Sequence, residues 1–264
     1  MAPYVQIKSE RQLKEALADF GTPCVLKTAT GGYDGKGQWV IRSMDEAGEA
    51  YETLKKAGTE LVLEQFIRFR MEISVIAARS ARGEVKAFPA AENIHKENIL
   101  HLSIVPARID EELRKKAEQV AVRIAEALEV IGLVAVEMFV TEDGQLYVNE
   151  LAPRPHNSGH YTMEACRTSQ FEQHVRAVCN LPLGSTQLMS PVVMVNVLGE
   201  HVNPLLEWLE RQTREDAEVS PKIHLYGKQE AKEKRKMGHV NLLTGEVEKA
   251  FSWIERTGIW REQE

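Results

Sequence analysis

The chain has 264 residues, of which 43% are hydrophobic and 27% charged, values typical of a globular protein with one large domain or two ordinary ones. Its formal net charge of -6 argues against nucleic acid as the main partner, because binding a phosphate backbone requires a basic surface. The three cysteines lack the spacing of a disulfide framework or a zinc ribbon, and neither a membrane-spanning run nor a signal peptide is recognised, so we expect a cytoplasmic protein without a membrane partner.

Helices are predicted where apolar residues recur at helical spacing, in most cases behind a capping residue. In chain order they begin at Ser9, Ser43, Asp110, Ser169, Pro204 and Glu246. Strands are predicted at Cys24–Lys27, Gln38–Arg42, Glu60–Ile67, Glu72–Ala78, Gly83–Pro89, Val134–Thr141, Leu146–Glu150, Pro191–Leu198, Lys222–Gly227 and Met237–Leu243. This mixture predicts an α+β fold. A shift in composition indicates a domain of residues 1–183, whose first 70 residues form a smaller lobe, and a C-terminal α+β subdomain of residues 184–264.

A glycine-rich flap is predicted between the first two strands, in the stretch Thr28-Ala-Thr-Gly-Gly-Tyr-Asp-Gly-Lys-Gly37. Glycines let backbone N–H groups approach an anion closely. The stretch is neither a Walker A loop nor a Rossmann turn, since both need a helix after the glycines. Lys27 and Lys36 add positive charge, which favours phosphate binding over the alternative of a long hairpin turn.

A second nucleotide-binding feature is predicted where the strand Glu60–Ile67 breaks and resumes at Glu72. A break exposes backbone N–H and C=O groups, which suit recognition of a base edge, and Glu72 could accept hydrogen bonds from ribose hydroxyls. A plain bulge between strands is an equally good interpretation. His95, taken alone, is more typical of a surface histidine, or of one with its hydrogen bonds satisfied within the protein, than of a ligand contact.

The stretch from Val134 to His160 carries the most informative pattern. Two runs rich in β-formers flank an Asp-Gly turn and predict a hairpin, in which a two- or four-residue loop places Thr141 opposite Leu146 and Glu137 opposite Glu150. Opposed like charges are destabilising unless a cation lies between them, and Mg²⁺ typically uses one or two carboxylates with a substrate's phosphates. The alternative is two solvated glutamates on an exposed sheet face.

Two further clusters complete the candidate site. Arg154 and His156 directly follow the hairpin, and the spacing of His156 and His160 is not that of a zinc-binding helix because proline and glycine make the segment a loop. A basic run at residues 228–236 lies between two predicted strands, where it either closes over a phosphorylated ligand or forms a solvated loop. Anion-binding flap, facing carboxylates and an Arg-His segment together indicate phosphoryl transfer by positioning and electrostatics.

These residues resemble the ATP-grasp superfamily, in which two α+β subdomains hold the nucleotide between them. Within it, the chain resembles the N5-carboxyaminoimidazole ribonucleotide synthetase (PurK) family of purine biosynthesis. The resemblance rests on four motifs: Gly-Gly-Tyr-Asp-Gly-Lys-Gly-Gln38, Glu92-Asn-Ile-His95, Ala152-Pro-Arg-Pro-His-Asn-Ser-Gly-His160 and Arg235-Lys-Met-Gly-His-Val-Asn241.

The resemblance implies a ligase that uses ATP to phosphorylate bicarbonate to carboxyphosphate and passes the carboxyl group to the amine of aminoimidazole ribonucleotide. It implies Mg²⁺, with Mn²⁺ as a substitute, held by Glu137 and Glu150, and it implies homodimers. The implied ATP-binding residues are Lys27, Gly32, Tyr33, Asp34, Gly35, Lys36, Gly37, Gln38, Glu64, Gln65, Phe66, Ile67, Glu72, His95, Asn149 and Glu150.

Further roles are implied for catalysis and for the second substrate. The implied catalytic residues are Arg154, His156, Asp34 and Lys36. The implied substrate-binding residues are Tyr33, Asp34, Asn157, Ser158, Lys228, Arg235 and Lys236.

Family members normally begin with a nucleotide-fold domain that helps to shape the ribonucleotide site. Met1-Ala2-Pro3 leads directly into a strand and a capped helix, which is typical of a junction inside a longer protein. We therefore expect the chain to correspond to the ATP-grasp and C-terminal parts of the enzyme. The alternatives are a catalytically incomplete MgATP-binding fragment and another ATP-grasp carboxylase or ligase, although Tyr33-Asp34 and Arg235-Lys236 argue against the latter.

Overall fold

The computed structural model of the chain describes residues 1–30, 36–211 and 218–261. The strands in these residues are β1 (Tyr4–Ile7), β2 (Cys24–Thr28), β3 (Gln38–Ile41), β4 (Leu61–Gln65), β5 (Met71–Arg79), β6 (Val85–Ala87), β7 (Ala91–Lys96), β8 (Ile99–Val105), β9 (Gly132–Val140), β10 (Leu146–Ala152), β11 (Val192–Leu198), β12 (Val219–Leu225) and β13 (Lys236–Thr244). The α-helices are α1 (Glu10–Phe20), α2 (Ala47–Lys55), α3 (Glu111–Ala127), α4 (Thr162–Ala165), α5 (Gln170–Val178), α6 (Val202–Arg211) and α7 (Val247–Thr257). The predicted α+β class is confirmed.

The chain divides into two compact units. Unit 1 consists of Met1–Arg70, Glu97–Ile99 and Phe139–Asn149. Unit 2 consists of Met71–Lys96, Leu100–Met138 and Glu150–Glu264.

Unit 1 contains a four-stranded antiparallel sheet in the order β1-β4-β2-β3. Helices α1 and α2 cover one face and form a core with it, in which Leu13, Leu17, Leu26 and Leu63 are buried. Each such side chain contributes about 1.5–3 kcal/mol when it leaves water. Because side chains alternate along a strand, burial of Leu26 directs its neighbour Lys27 to the opposite face.

The second sheet has nine strands in the order β10-β9-β5-β7-β8-β11-β13-β12, with β6 paired to β5. The predicted strands after residue 184 therefore continue this sheet, since β11 pairs antiparallel with both β8 and β13. One core cluster of unit 2 includes Phe88 and Tyr161, and another includes Trp253 and Trp260. These cores hold the central strands in place, and the strands carry several of the candidate site residues.

The predicted broken strand around residues 60–72 requires a correction. β4 and β5 belong to different sheets, so the residues between them connect two sheets and are not a bulge within one strand. The sequence pattern could not show this, because both segments are apolar and follow each other closely.

The hairpin loop between β9 and β10 also differs from the prediction. The Gly144 N–H donates to the Thr141 carbonyl and the Thr141 N–H donates to the Gln145 carbonyl, so the loop has three residues and Thr141 lies opposite Gln145, not Leu146. Gly144 has a φ of 75°, the left-handed conformation that inserts an extra residue into such a turn. The pairing of Glu137 with Glu150, further along the hairpin, stays a prediction.

Candidate functional site

Three residues predicted to bind the nucleotide come together in unit 1. Lys27 Nζ in β2 lies 2.7 Å from Glu64 Oε2 in β4 and 3.4 Å from Asn149 Oδ1 in β10. The side chains of Lys27 and Glu64 are each 25% exposed, so the ion pair is partly shielded from water. Glu64 therefore holds the ammonium group of Lys27 in a fixed position on the face opposite the core.

The two strands that flank the flap, β2 and β3, pair in antiparallel fashion. The Thr28 N–H donates to the Gly37 carbonyl at 2.8 Å, and Gly37 has a φ of 76°. Lys36 and Gln38 are exposed beside it. Gly32, Tyr33, Asp34 and Gly35 lie outside the described residues, so the roles predicted for them stay predictions.

The predicted adenine-binding segment lies at the end of β4. The Gln65 N–H donates to the Pro3 carbonyl at 2.9 Å, while Phe66 is exposed and Ile67 is half-buried. Beyond β4, the Phe69 ring stacks on Phe139 with centroids 4.3 Å apart, which supports the connecting segment.

Unit 2 brings together a cluster of carboxylates and imidazoles. Glu72 Oε2 in β5 lies 3.1 Å from His95 Nδ1 in β7, and Glu137 Oε1 in β9 lies 3.4 Å from His156 Nε2. The side chains in both pairs are between 15% and 27% exposed. Strands β9, β5 and β7 are neighbours in the sheet, which explains why residues distant in sequence meet here.

Burial and neighbouring charges shift the pKa values of this cluster. Burial, and next the charge of Glu150, raise the pKa of Glu137 to about 7. Burial lowers the pKa of His95, but Glu72 and Glu137 more than compensate, and the net shift is upward. Burial, followed by Arg154, lowers the pKa of His156 to about 4, so this imidazole is neutral at neutral pH.

The donor set fits Mg²⁺. Glu137 and Glu150 repel each other, and a divalent cation would remove that repulsion. No group of three or more His, Cys, Asp and Glu side chains arranged for a metal is found in residues 1–30, 36–211 and 218–261. Mg²⁺ commonly completes the coordination supplied by one or two carboxylates with phosphate oxygens and water.

The loop after β10 places its polar residues differently. The Arg154 side chain is exposed and donates to the Pro155 carbonyl at 3.1 Å. Asn157 and Asn196 exchange two amide hydrogen bonds, of 3.0 and 2.8 Å. Ser158 is fully buried and hydrogen-bonded. Ser158 and the Asn157 amide are engaged within the protein, and their contact with the substrate stays a prediction.

The basic run forms the connection between β12 and β13. Lys228 Nζ donates to the Lys236 carbonyl at 2.6 Å and lies 5.4 Å from the centre of the Tyr226 ring. Arg235 Nη1 donates to the Glu230 carbonyl at 3.0 Å. These bonds shape the loop while Lys228 and Arg235 remain exposed. The arrangement is compatible with a phosphate-binding loop.

A histidine cluster in unit 2 was not predicted. His224 and His239 are directly paired across β12 and β13, and their rings stack with centroids 4.6 Å apart. His224 Nε2 lies 2.8 Å from Glu164 Oε1. Burial, then His160 and His224, lower the pKa of His239 to about 3. Strand pairing would have revealed this cluster, but the long intervening loop hides the register in the sequence.

The comparisons with known proteins agree with this fold. A family model for the ATP-grasp domain matches residues 1–171, and a model for the phosphoribosylaminoimidazole carboxylase C-terminal domain matches residues 192–251. The fold and site define an ATP-grasp protein, and the predicted ATP-grasp fold is confirmed.

Individual relatives indicate which family of ATP-grasp proteins the chain resembles. The chain is 49% identical to N5-carboxyaminoimidazole ribonucleotide synthase of Bacillus subtilis (strain 168), over 98% of this chain and 66% of the relative. A Staphylococcus aureus (strain COL) synthase is 40% identical over 94% of this chain and 64% of the relative. The chain thus spans somewhat less than two thirds of the length of these relatives.

Solved structures give the same result. The ADP complex of an N5-carboxyaminoimidazole ribonucleotide synthetase matches with a TM-score of 0.90 and 55% identity, covering 98% of this chain and 67% of that one. The Aspergillus clavatus enzyme in complex with ADP and 5-aminoimidazole ribonucleotide matches with a TM-score of 0.86 and 31% identity, covering 99% and 69%. The chain belongs to the N5-carboxyaminoimidazole ribonucleotide synthetase family.

Proposed function

We propose that the chain catalyses the ATP-dependent carboxylation of 5-aminoimidazole ribonucleotide with bicarbonate, a ligase reaction of de novo purine biosynthesis. ATP would phosphorylate bicarbonate to carboxyphosphate, and transfer of the carboxyl group to the exocyclic amine would release phosphate. The observation that carries this proposal is the pairing of Glu137, with a pKa raised to about 7, and His156 in a chain of this family.

Candidate ATP contacts are found within each unit. In unit 1, Lys27 is held by Glu64 and Asn149 and would meet phosphate oxygens, together with flap residues 32–38. The segment at and beyond the end of β4, from Glu64 to Ile67, would present its backbone to adenine. In unit 2, Glu72 would accept hydrogen bonds from ribose hydroxyls, with His95 beside it.

Mg²⁺ or Mn²⁺ would be held by Glu137 and Glu150. When bound, the cation supplies positive charge that offsets the charge of the transferring phosphoryl group. Glu137 must lose its proton to coordinate, which its pKa of about 7 allows near neutral pH.

Bicarbonate would bind beside His156 and Arg154. The exposed Arg154 guanidinium can pair with an anionic oxygen in bidentate fashion, and the neutral imidazole of His156 can add a hydrogen bond. Lys36 and Asp34 of the flap would assist at the phosphoryl group and at the substrate amine, respectively.

The ribonucleotide phosphate would bind the basic loop. Lys228 and Arg235 are exposed cations there, and Lys236 continues the positive charge into β13. Tyr33 would contact the same substrate, and Asn157 and Ser158 would contribute by shaping the loop that carries His156.

Incorporation of carbon-13 bicarbonate into aminoimidazole ribonucleotide tests the proposal. The chain should form the labelled N5-carboxy product only when MgATP is present. Arg154→Ala should abolish incorporation, while Arg167→Ala, which removes an exposed arginine bonded to Gln187, should leave it unchanged. Labelling of another acceptor, or MgADP binding without any product, would contradict the proposed reaction.

We further propose a cytoplasmic homodimer. Val175, Val178, Leu181 and Ile131 are between 48% and 55% exposed, and Val178 lies beside Gly132, the residue after Ile131. Such an apolar patch suits a second copy of the chain.

The exposed thiol of Cys179 fits a reducing compartment. No helix of the described residues is both long and apolar enough to cross a membrane.

A further inference from the structure

A chain of buried polar side chains runs through unit 2 towards His156. Ser103 Oγ in β8 donates to Asn93 Oδ1 in β7 at 2.7 Å, and Asn93 Nδ2 donates to Ser74 Oγ in β5 at 2.9 Å. Ser74 Oγ lies 2.7 Å from Ser158 Oγ. None of these four side chains is more than 6% exposed. Their hydrogen bonds therefore have to be satisfied within the protein.

The direction of these hydrogen bonds follows from the donors. The Asn93 amide nitrogen can only donate, so Ser74 Oγ accepts and has its own proton left to give to Ser158 Oγ. Ser158 Oγ then has its proton available for His156 Nδ1, 2.9 Å away. The opposite direction would leave the Ser74 proton without an acceptor among the hydrogen bonds of the described residues.

A second donor reaches the same nitrogen. The backbone N–H of Ser158 points at His156 Nδ1 at 3.4 Å, and a backbone N–H can only donate. His156 Nδ1 therefore accepts. A neutral imidazole that accepts at Nδ1 carries its proton at Nε2, and Nε2 faces Glu137 Oε1 at 3.4 Å.

We propose that the chain Ser103-Asn93-Ser74-Ser158 holds His156 as the Nε2–H tautomer. The consequence rests on the proposed function: His156 is a hydrogen-bond donor to the transferred anion and is not the base that removes a proton from the substrate amine. Ser158 and Ser74 are positioning residues, since they act through His156. This explains why a serine in the candidate site is fully buried.

Nitrogen-15 NMR of histidine-labelled protein measures the tautomer directly, on the full chain without substrate at mildly alkaline pH. His156→Gln identifies the His156 signals among those of the eight histidines by their loss. In the wild type, Nε2 should resonate as a protonated nitrogen and Nδ1 as an unprotonated, hydrogen-bonded one. A protonated Nδ1 in the wild type would overturn the proposal.

Three variants test the hydrogen-bonded series of Ser103, Asn93, Ser74 and Ser158. Ser158→Ala should move the Nδ1 resonance towards that of an unbonded nitrogen, and Ser74→Ala should move it in the same direction by less, although Ser74 does not touch the ring. Ser80→Ala, which also removes a buried serine hydroxyl, should have no effect. Unchanged Nδ1 signals in both Ser158→Ala and Ser74→Ala would refute the role of these hydrogen-bonded side chains in holding the His156 tautomer.

Turnover is measured separately. Ser158→Ala should lower kcat by roughly tenfold, as for other residues that orient a functional histidine, with little change in the KM for ATP. A rise in the KM for ATP as large as the loss of kcat would contradict a role confined to His156. A confirmed Nε2–H tautomer in a chain without turnover would refute the proposed function but not the tautomer assignment.

Discussion

Replacing Glu150 by glutamine tests the acidic pair that the proposed metal site depends on. The charge of Glu150 is the second largest cause, after burial, of the raised pKa of Glu137. Glu150→Gln should therefore lower the pKa of Glu137 part of the way back, because burial remains. The variant also loses one of two carboxylates for Mg²⁺, so we expect MgADP to bind no more tightly than ADP alone.

The raised pKa of Glu137 sets the free-energy cost of ionising this side chain. A pKa raised from 4.5 to about 7 corresponds to about 3 kcal/mol of unfavourable free energy for ionising Glu137, whose side chain is 20% exposed. With a pKa of about 7, roughly half of the molecules hold a proton on Glu137 at neutral pH. Metal binding should expel it, and the apparent affinity for MgADP should rise between about pH 6 and about pH 8.

Isothermal titration calorimetry in buffers of different ionisation enthalpy measures this proton release. The wild type should release roughly half a proton per MgADP at neutral pH. Glu142→Gln is the matched control, because it makes the same change at an exposed position of the same hairpin and should behave as the wild type. Wild-type binding without proton release, or unchanged magnesium dependence in Glu150→Gln, would refute the metal assignment.

The remaining predictions concern charge and pH. Arg235→Ala should weaken ribonucleotide binding far more than ATP binding in calorimetry, unlike Lys232→Ala in the same loop; equal losses would count against the assigned phosphate loop. Lys27→Met should reduce ATP affinity by about 10- to 100-fold, the value of a charged hydrogen bond, whereas an unchanged Kd would exclude Lys27 from the site. Glu137→Gln should increase the free energy of unfolding by up to about 3 kcal/mol near pH 8 and should not change it near pH 4. The reason is that the raised pKa of the Glu137 carboxyl removes stability as the pH rises through about 7. Denaturant titrations of the wild type and the variant at both pH values measure this, and they would show no difference if Glu137 ionised freely.

Local signals predicted the local structure well. The side chains of Ser9, Asp110 and Ser169 each accept a hydrogen bond from the first turn of the following helix, as the sequence predicts. Ser43 is the exception, because its side chain makes no capping bond and a short 3₁₀ turn precedes α2. The Arg42 N–H instead donates to Glu46, so the acidic member of the expected capping box is used elsewhere.

Long-range structure was predictable only where a motif carried it. The resemblance identified Lys27, Glu64 and Asn149 as one nucleotide-binding set, and the structure places them together. The predicted hairpin loop, with Thr141 opposite Leu146, was wrong because a single glycine, Gly144, adopts a left-handed conformation and adds a residue to the turn. The bond between Ser74 and Ser158 joins residues 84 positions apart, and no local pattern reveals such a contact.

Phosphate release from MgATP and bicarbonate, with and without aminoimidazole ribonucleotide, tests the central claim most directly. The 264-residue chain should release phosphate, and the ribonucleotide should stimulate the release. Stimulation should be lost in Arg235→Ala at subsaturating ribonucleotide and in Glu150→Gln at any concentration. A release rate that the ribonucleotide does not change, or that an unrelated amine stimulates equally, would contradict the account.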